Sequence, residues 1–140
     1  LPTVESIVHG DILDSLQNKH ILVAEDDPVN QLIAQTMLEN MRIQVSLADN
    51  GQQAIDLIQQ HSFDLILMDV QMPIMDGLEA TRRIRQHHTP QQLPIVAMTA
   101  QAMTGDQEMC LQSGMNAYLS KPMHREDLFT MISSQLKITT

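Results

Sequence analysis

The sequence predicts an α/β fold: a doubly wound, five-stranded parallel sheet with helices on both faces. Three observations carry this. Five short apolar runs recur along the chain, at Ile21–Ala24, Val45–Ala48, Leu65–Met68, Ile95–Met98 and Ala117–Leu119. Between them lie stretches with apolar residues three and four apart, the spacing of one helical face. The breaks are short and marked by Pro, Gly, Asn or Asp, as β-α units with helical crossovers require. Right-handed crossovers then leave few possible topologies.

The elements follow in order. Residues 1–19 read as a linker or leader from a preceding domain, with Ile12, Leu13 and Leu16 at helical spacing in polar surroundings; the folded domain is expected over 20–140. The start at Leu1 rather than Met suits a piece of a longer protein. The first strand ends in Glu25-Asp26-Asp27, and Pro28 suits a first helical turn with Asp27 as its N-cap; metal binding is the alternative role for Asp27. Val29, Leu32, Ile33, Thr36, Met37 and Met41 then predict the buried stripe of the first helix. Asn50-Gly51 breaks the second strand, and Ala54, Ile55, Leu57 and Ile58 line the second helix. The third strand is the most apolar and ends in Asp69, before a loop stiffened by Pro73 and released at Gly77. Leu78, Thr81 and Ile84 mark the next helix, and Pro90 and Pro94 bracket the loop to the fourth strand, which ends at Thr99-Ala100. Gly105 and Asp106 open a helix with Met109, Cys110 and Leu111 that stops at Gly114. The fifth strand runs into Ser120-Lys121-Pro122, and Leu128, Phe129, Ile132 and Leu136 stripe the last helix.

Composition narrows the function. One domain of this length buries a core without staples. A formal charge of −9 argues against direct binding to nucleic acid, which needs clustered Lys and Arg. No apolar run is long enough to span a membrane, so no membrane contact is expected from this segment. Cys110 is the single cysteine, which forbids an internal disulfide and fits a reducing, cytoplasmic setting. The scattered histidines show no metal-ligand spacing, and His87-His88 read as solvated helix-end residues. Cys110 and the methionines read as packing.

Chemistry gathers at the strand ends. Alone, Asp69 could be a turn or capping residue. In a parallel sheet, however, Glu25, Asp26 and Asp27, Asp69, Thr99 and Lys121 all belong to one edge, where such sheets bind ligands. Clustered acids repel, one Lys cannot neutralise them all, and an oxygen-lined site with room for water suits Mg²⁺. Phosphoryl transfer needs a nucleophile, a metal and donors for the equatorial oxygens. Asp69 can be that nucleophile, with the Thr99 hydroxyl, the Lys121 ammonium and backbone N–H groups as donors.

At these residues the sequence resembles the receiver domains of two-component response regulators. The resemblance runs from Ile21 to Leu136 and is carried, in order, by Ile21-Leu22-Val23-Ala24-Glu25-Asp26, Leu67-Met68-Asp69-Val70-Gln71-Met72-Pro73, Met75-Asp76-Gly77, Met98-Thr99-Ala100 and Leu119-Ser120-Lys121-Pro122. It implies a flavodoxin-like strand order 2-1-3-4-5. It implies that Asp69 accepts a phosphoryl group from a phosphohistidine, with Mg²⁺ held by Asp26, Asp69 and the Gln71 backbone carbonyl, and by Glu25 through water. Thr99 and Lys121 match the switch hydroxyl and the lysine of the family, Tyr118 the switch aromatic, and the Lys121–Pro122 bond its cis peptide. On phosphorylation Thr99 is expected to move toward the new charge, with Tyr118 filling the space it leaves. Such a domain catalyses its own phosphorylation and dephosphorylation.

Asp27-Pro28-Val29-Asn30-Gln31, Glu79-Ala80-Thr81-Arg82 and Ala100-Gln101-Ala102-Met103 are most similar to receivers fused to sensor histidine kinases. The partners implied are a histidine kinase domain, a histidine phosphotransfer protein, or both; a hybrid parent chain is itself a histidine kinase. No DNA-binding domain is expected, since only Lys137 to Thr140 follow the last helix. Two departures stand out: the acidic pair is Glu25-Asp26 where many relatives have two Asp, and Asp27 adds a third acid. By the resemblance, Gln71 matches a position that tunes phosphate lifetime in the family, and the lifetime here stays open. Three other readings compete. A magnesium-dependent phosphohydrolase would have its aspartyl nucleophile after strand one. A module for flavin mononucleotide would need a Gly, Ser and Thr phosphate loop where Glu25-Asp26-Asp27-Pro28 stands. A purely structural interaction domain would not need the full set of site residues.

Overall fold

The computed structural model describes residues 15–100 and 104–136, with backbone alone at 104–106. Ile12 and Leu13, the stretch Gln101-Ala102-Met103, the surroundings of Gly105 and Asp106, and residues 137–140 lie outside the described residues.

Among the described residues ten elements alternate: β1 (His20–Ala24), α1 (Pro28–Asn40), β2 (Gln44–Ala48), α2 (Gly51–Gln60), β3 (Leu65–Asp69), α3 (Gly77–Ile84), β4 (Ile95–Thr99), α4 (Thr104–Ser113), β5 (Ala117–Ser120) and α5 (Arg125–Gln135). The strands form one parallel sheet in the order β2-β1-β3-β4-β5, the order implied above. Every residue of β3 and β4 is buried, because helices cover both faces of the central strands, and so their sequences are continuously apolar rather than alternating. Edge strand β2 keeps only Ala48 buried.

Two cores result, one on each face. Ile21, Val23, Leu65 and Leu67 meet Leu38 of α1 and Leu128 and Ile132 of α5. Leu22, Ile66, Met68 and Ala97 meet Ala54 of α2, Ala80 and Ile84 of α3, and Cys110 of α4. Each buried Leu or Ile contributes roughly 1.5–3 kcal/mol. Leu16 is fully buried in the first core, so the packed body includes this residue of the leader segment.

Helix α1 corrects one expectation. Most of its predicted stripe faces out: Val29 is 64% exposed, Leu32 62% and Ile33 43%, with Thr36 also exposed, while Met37 and Met41 do turn to the core. The buried side is Ala34 and Leu38, continued by Met41. Residues 34, 38 and 41 also share a face, and the small Ala34 lets the helix lie close to the sheet. The count of apolar residues favoured the other face, and the fit to the sheet won.

Caps set where the helices begin. The Asp27 carboxylate accepts from the Val29 N–H at 2.9 Å, the N-cap role expected for it. Asn50 caps α2 through the Gln53 N–H at 2.9 Å, and Asp76 caps α3 through the Glu79 N–H at 2.8 Å.

Candidate functional site

The parallel register delivers the strand ends to one edge. Ala24 pairs with Met68, Asp69 with Met98 and Thr99 with Ser120, so Glu25, Asp69, Thr99 and Lys121 emerge side by side. They line an open cavity of about 650 Å³, together with Asp26 and Gln71. Beyond the ladder, the Lys121 N–H donates to the Thr99 carbonyl at 2.8 Å, and the Lys121–Pro122 peptide is cis.

At the centre one ammonium serves two buried acids. Lys121 Nζ lies 2.6 Å from Glu25 Oε2 and 3.3 Å from Asp69 Oδ2. Asp69 Oδ1 accepts from the Gln71 N–H at 3.4 Å, and Glu25 Oε1 from the Asp27 N–H at 3.2 Å. Asp26 is exposed at the rim. Burial pushes the Asp69 carboxyl up to about 7; the Glu25 charge adds to the rise, and Lys121 offsets only part of it. Burial by itself would lower Lys121, but its hydrogen bond to Glu25 and the Asp69 and Glu25 charges outweigh that and hold it above its ordinary value. The lysine therefore keeps its charge while the acids compete for it.

This donor set fits a small hard dication. One oxygen from each of Glu25, Asp26 and Asp69 lies within 4.8 Å of the others. The ligands are carboxylates, the cavity is open to water, and the negative charge exceeds what Lys121 balances, which are the conditions Mg²⁺ favours. Asp27, turned to its helix cap, is outside this cluster. Tyr118 lies apart as well: half-buried on β5, opposite Ala97, it packs against the second core and is among the residues lining a separate groove with Lys121, Pro122 and His124.

The loop after Asp69 is held by backbone packing that the sequence marked only as breaks. The Gly77 N–H donates to the Val70 carbonyl at 2.9 Å, and a Cβ on Gly77 would stand 2.1 Å from the Asp69 carbonyl oxygen. The Gly51 N–H donates to the Met75 carbonyl at 2.9 Å, and a Cβ there would meet the same oxygen at 2.6 Å. Both glycines are required by close approach of backbone. Gly77→Ala is expected to cost about 1–3 kcal/mol in urea unfolding, since the obstacle is main chain and cannot rotate away. A variant as stable as the parent would show that the loop gives freely.

Sequence reading overlooked Gln31, whose side-chain amide reaches the backbone of Glu25. The signal was available only in the true phase of α1, which turns Gln31 inward beside Ala34 and Leu38.

A sheet of this order, with an acid, a hydroxyl and a lysine at one edge beside further carboxylates, defines a class: doubly wound proteins able to bring a divalent cation and a phosphoryl group together. The comparisons agree in kind. The family model "Response regulator receiver domain" matches residues 21–133, and the chain belongs to that family. Among curated relatives, the sensor histidine kinase GacS of Pseudomonas protegens is 47% identical over 117 residues, covering 80% of this chain and 12% of the relative. The histidine-protein kinase BarA of Escherichia coli K12 is 43% identical over 112 residues, with the same two coverages, 80% and 12%. The chain thus spans only about an eighth of the length of these relatives. Among solved structures, the receiver domain of sensor histidine kinase PA1611 from Pseudomonas aeruginosa, with a magnesium ion in its active site cleft, is 41% identical at a TM-score of 0.80, over 86% of this chain and 98% of that one. The yeast Ssk1 receiver domain, solved with the histidine phosphotransfer protein Ypd1 of Saccharomyces cerevisiae, is 30% identical at a TM-score of 0.81, over 88% and 92%. This chain is a receiver domain of the phosphorelay type found in hybrid sensor histidine kinases.

Proposed function

We propose that Asp69 is the phosphoacceptor of this receiver, taking the phosphoryl group of a phosphohistidine with Mg²⁺ bound at Glu25, Asp26, Asp69 and the Gln71 backbone carbonyl. The carrying observation is that Asp69 lies 3.3 Å from a lysine ammonium and clusters with two further carboxylates in a cavity open to solvent. In the reaction an Asp69 carboxylate oxygen forms a bond to phosphorus while the bond to the histidine nitrogen breaks, leaving neutral imidazole and an acyl phosphate. A bound Mg²⁺ supplies the positive charge that lets the anionic donor approach the acids. In this reading Lys121 holds a phosphoryl oxygen, and Thr99, at the end of β4 and lining the same cavity, holds another. Thr99 then biases the loop after β4, with Tyr118 following.

The test is intact-mass analysis after acetyl phosphate and MgCl₂. The chain gains one phosphoryl group, and Asp69→Asn gains none. Labelling that survives in Asp69→Asn would move the acceptor elsewhere. The flavin alternative is disfavoured because Asp26 and Asp27 line the cavity where a phosphate loop would be needed.

The onward partner is a histidine phosphotransfer domain, as in the solved Ssk1–Ypd1 pair. The outward face of α1 supports this reading. Val29, Leu32 and Ile33 form an exposed apolar strip that begins beside Asp27 at the cavity rim, and Ile74, 85% exposed, follows Pro73 on the loop across the site. Such a strip suits the apolar flank of a partner helix presenting its histidine. Leu32→Asp is expected to slow phosphoryl exchange with a histidine phosphotransfer protein by about tenfold or more, while labelling by acetyl phosphate stays unchanged. Equal losses in both assays would sink the docking face. No described helix is long and apolar enough to cross a membrane. A cytoplasmic setting is part of the proposal, supported by Cys110 being the single, buried cysteine of the sequence.

A further inference from the structure

We infer that Gln31 is a positioning residue for the acidic pair Glu25-Asp26, an inference that rests on the reading of those acids as Mg²⁺ ligands. Strand β1 ends at Ala24, so neither acid is held by the central ladder on its β3 side. Among the described residues, two contacts fix the backbone there. The Glu25 N–H donates to the Ala48 carbonyl of β2 at 3.0 Å, and the Glu25 carbonyl accepts from Gln31 Nε2. That carbonyl belongs to the peptide joining Glu25 to Asp26, so its orientation sets where both side chains start. The other short contact of Nε2 is to Asp49 Oδ1 at 2.8 Å, while Ala48 O lies further off at 3.4 Å.

Gln31 is itself well held. Its own N–H donates to the Asp27 carbonyl at 2.9 Å in the first turn of α1, and it is half-buried. Asp49 is steadied by its backbone N–H donating to Gln53 Oε1 at 2.8 Å. The carboxylate of Asp49 makes its hydrogen bond charge-assisted, and therefore short and strong. A chain of contacts thus runs from α2 through Asp49 and Gln31 to the peptide that carries the acids. An amide is suited to this place, because it donates twice without adding positive charge beside a cation site. Residues that orient metal ligands from behind commonly govern affinity by 10–100-fold.

The experiment measures Mg²⁺ binding by calorimetric titration with MgCl₂ on the full chain, alongside thermal unfolding in EDTA. Gln31→Met keeps the length and removes the donors; its Kd for Mg²⁺ is expected to rise about tenfold or more. Gln31→Glu is the second variant, keeping the shape but turning an acceptor toward Asp49 and the Glu25 carbonyl, with the same expected weakening. Asp26→Asn tests the underlying site and is also expected to weaken binding strongly. If Asp26→Asn weakens binding but both Gln31 variants bind as the parent does, the inference is overturned while the site stands. A lower unfolding temperature with unchanged Kd is the signature of a brace that is only structural, and overturns it too. If Asp26→Asn binds Mg²⁺ as the parent does, the site reading fails and takes this inference with it.

Discussion

Asp69→Asn will lose phosphoryl acceptance completely, yet unfold less readily than the parent chain when Mg²⁺ is absent. The two results share a cause. Burial and the Glu25 charge raise the Asp69 carboxyl to about 7 from an ordinary value of 3.8. Between those values the folded chain holds a proton that the unfolded chain has released. Stability therefore falls as pH rises across that window, and above about 7 the whole penalty stands. The full shift would correspond to about 4 kcal/mol, and screening by water in the open cavity reduces it to about 2 kcal/mol. An Asn carries no charge to bury, so the variant gains about that much at pH 8 and nothing near pH 4. Urea unfolding in EDTA at several pH values checks this. A gain that is absent, or equal at both ends of the range, would show that Asp69 is not strained by its surroundings. Mg²⁺ should restore the parent more than the variant, because it binds the charged carboxylate in the folded state alone.

Lys121→Met has the opposite consequence for the fold. It keeps the length of the stem and removes the ammonium at 2.6 Å from Glu25 and 3.3 Å from Asp69. Two buried carboxyl groups then face each other with no protein cation between them, and breaking a buried pair in this way costs about 3 kcal/mol. The loss grows with pH. The raised value of Lys121 keeps it charged from pH 5 to 8, so its own protonation does not change across that range. Asp69, in contrast, takes on its charge as pH rises through about 7, and only then is the missing ammonium fully felt. Labelling by acetyl phosphate is expected to slow by about a hundredfold or more, since a donor to the transferring group is lost. A variant that unfolds like the parent at pH 8 and labels at the same rate would remove Lys121 from both roles.

The acid over which these variants compete lies in the most readable part of the chain. An unbroken apolar run such as Leu65–Met68 is stable only with helices over both faces, so the strand, its burial and the parallel sheet were all legible in the residues. So were the strand-end groups, because a parallel sheet sends every carboxyl end to one edge. Asp27 could be read two ways, and the hydrogen bond to Val29 makes it a cap.

Local pattern alone could not orient α1. Its sequence offers two possible faces, and the choice fell to the fit of Ala34 and Leu38 against β1 and β2, leaving Val29, Leu32 and Ile33 to solvent. Nor could order along the chain show that Lys121 reaches Glu25, 96 residues away, or that Gln31 reaches the peptide between the two acids. Periodicity and strand composition are properties of neighbouring residues, and they carried the architecture and the edge where the chemistry gathers. Which faces turn inward, and which charges meet, depend on packing between distant segments, and these belong to the folded chain.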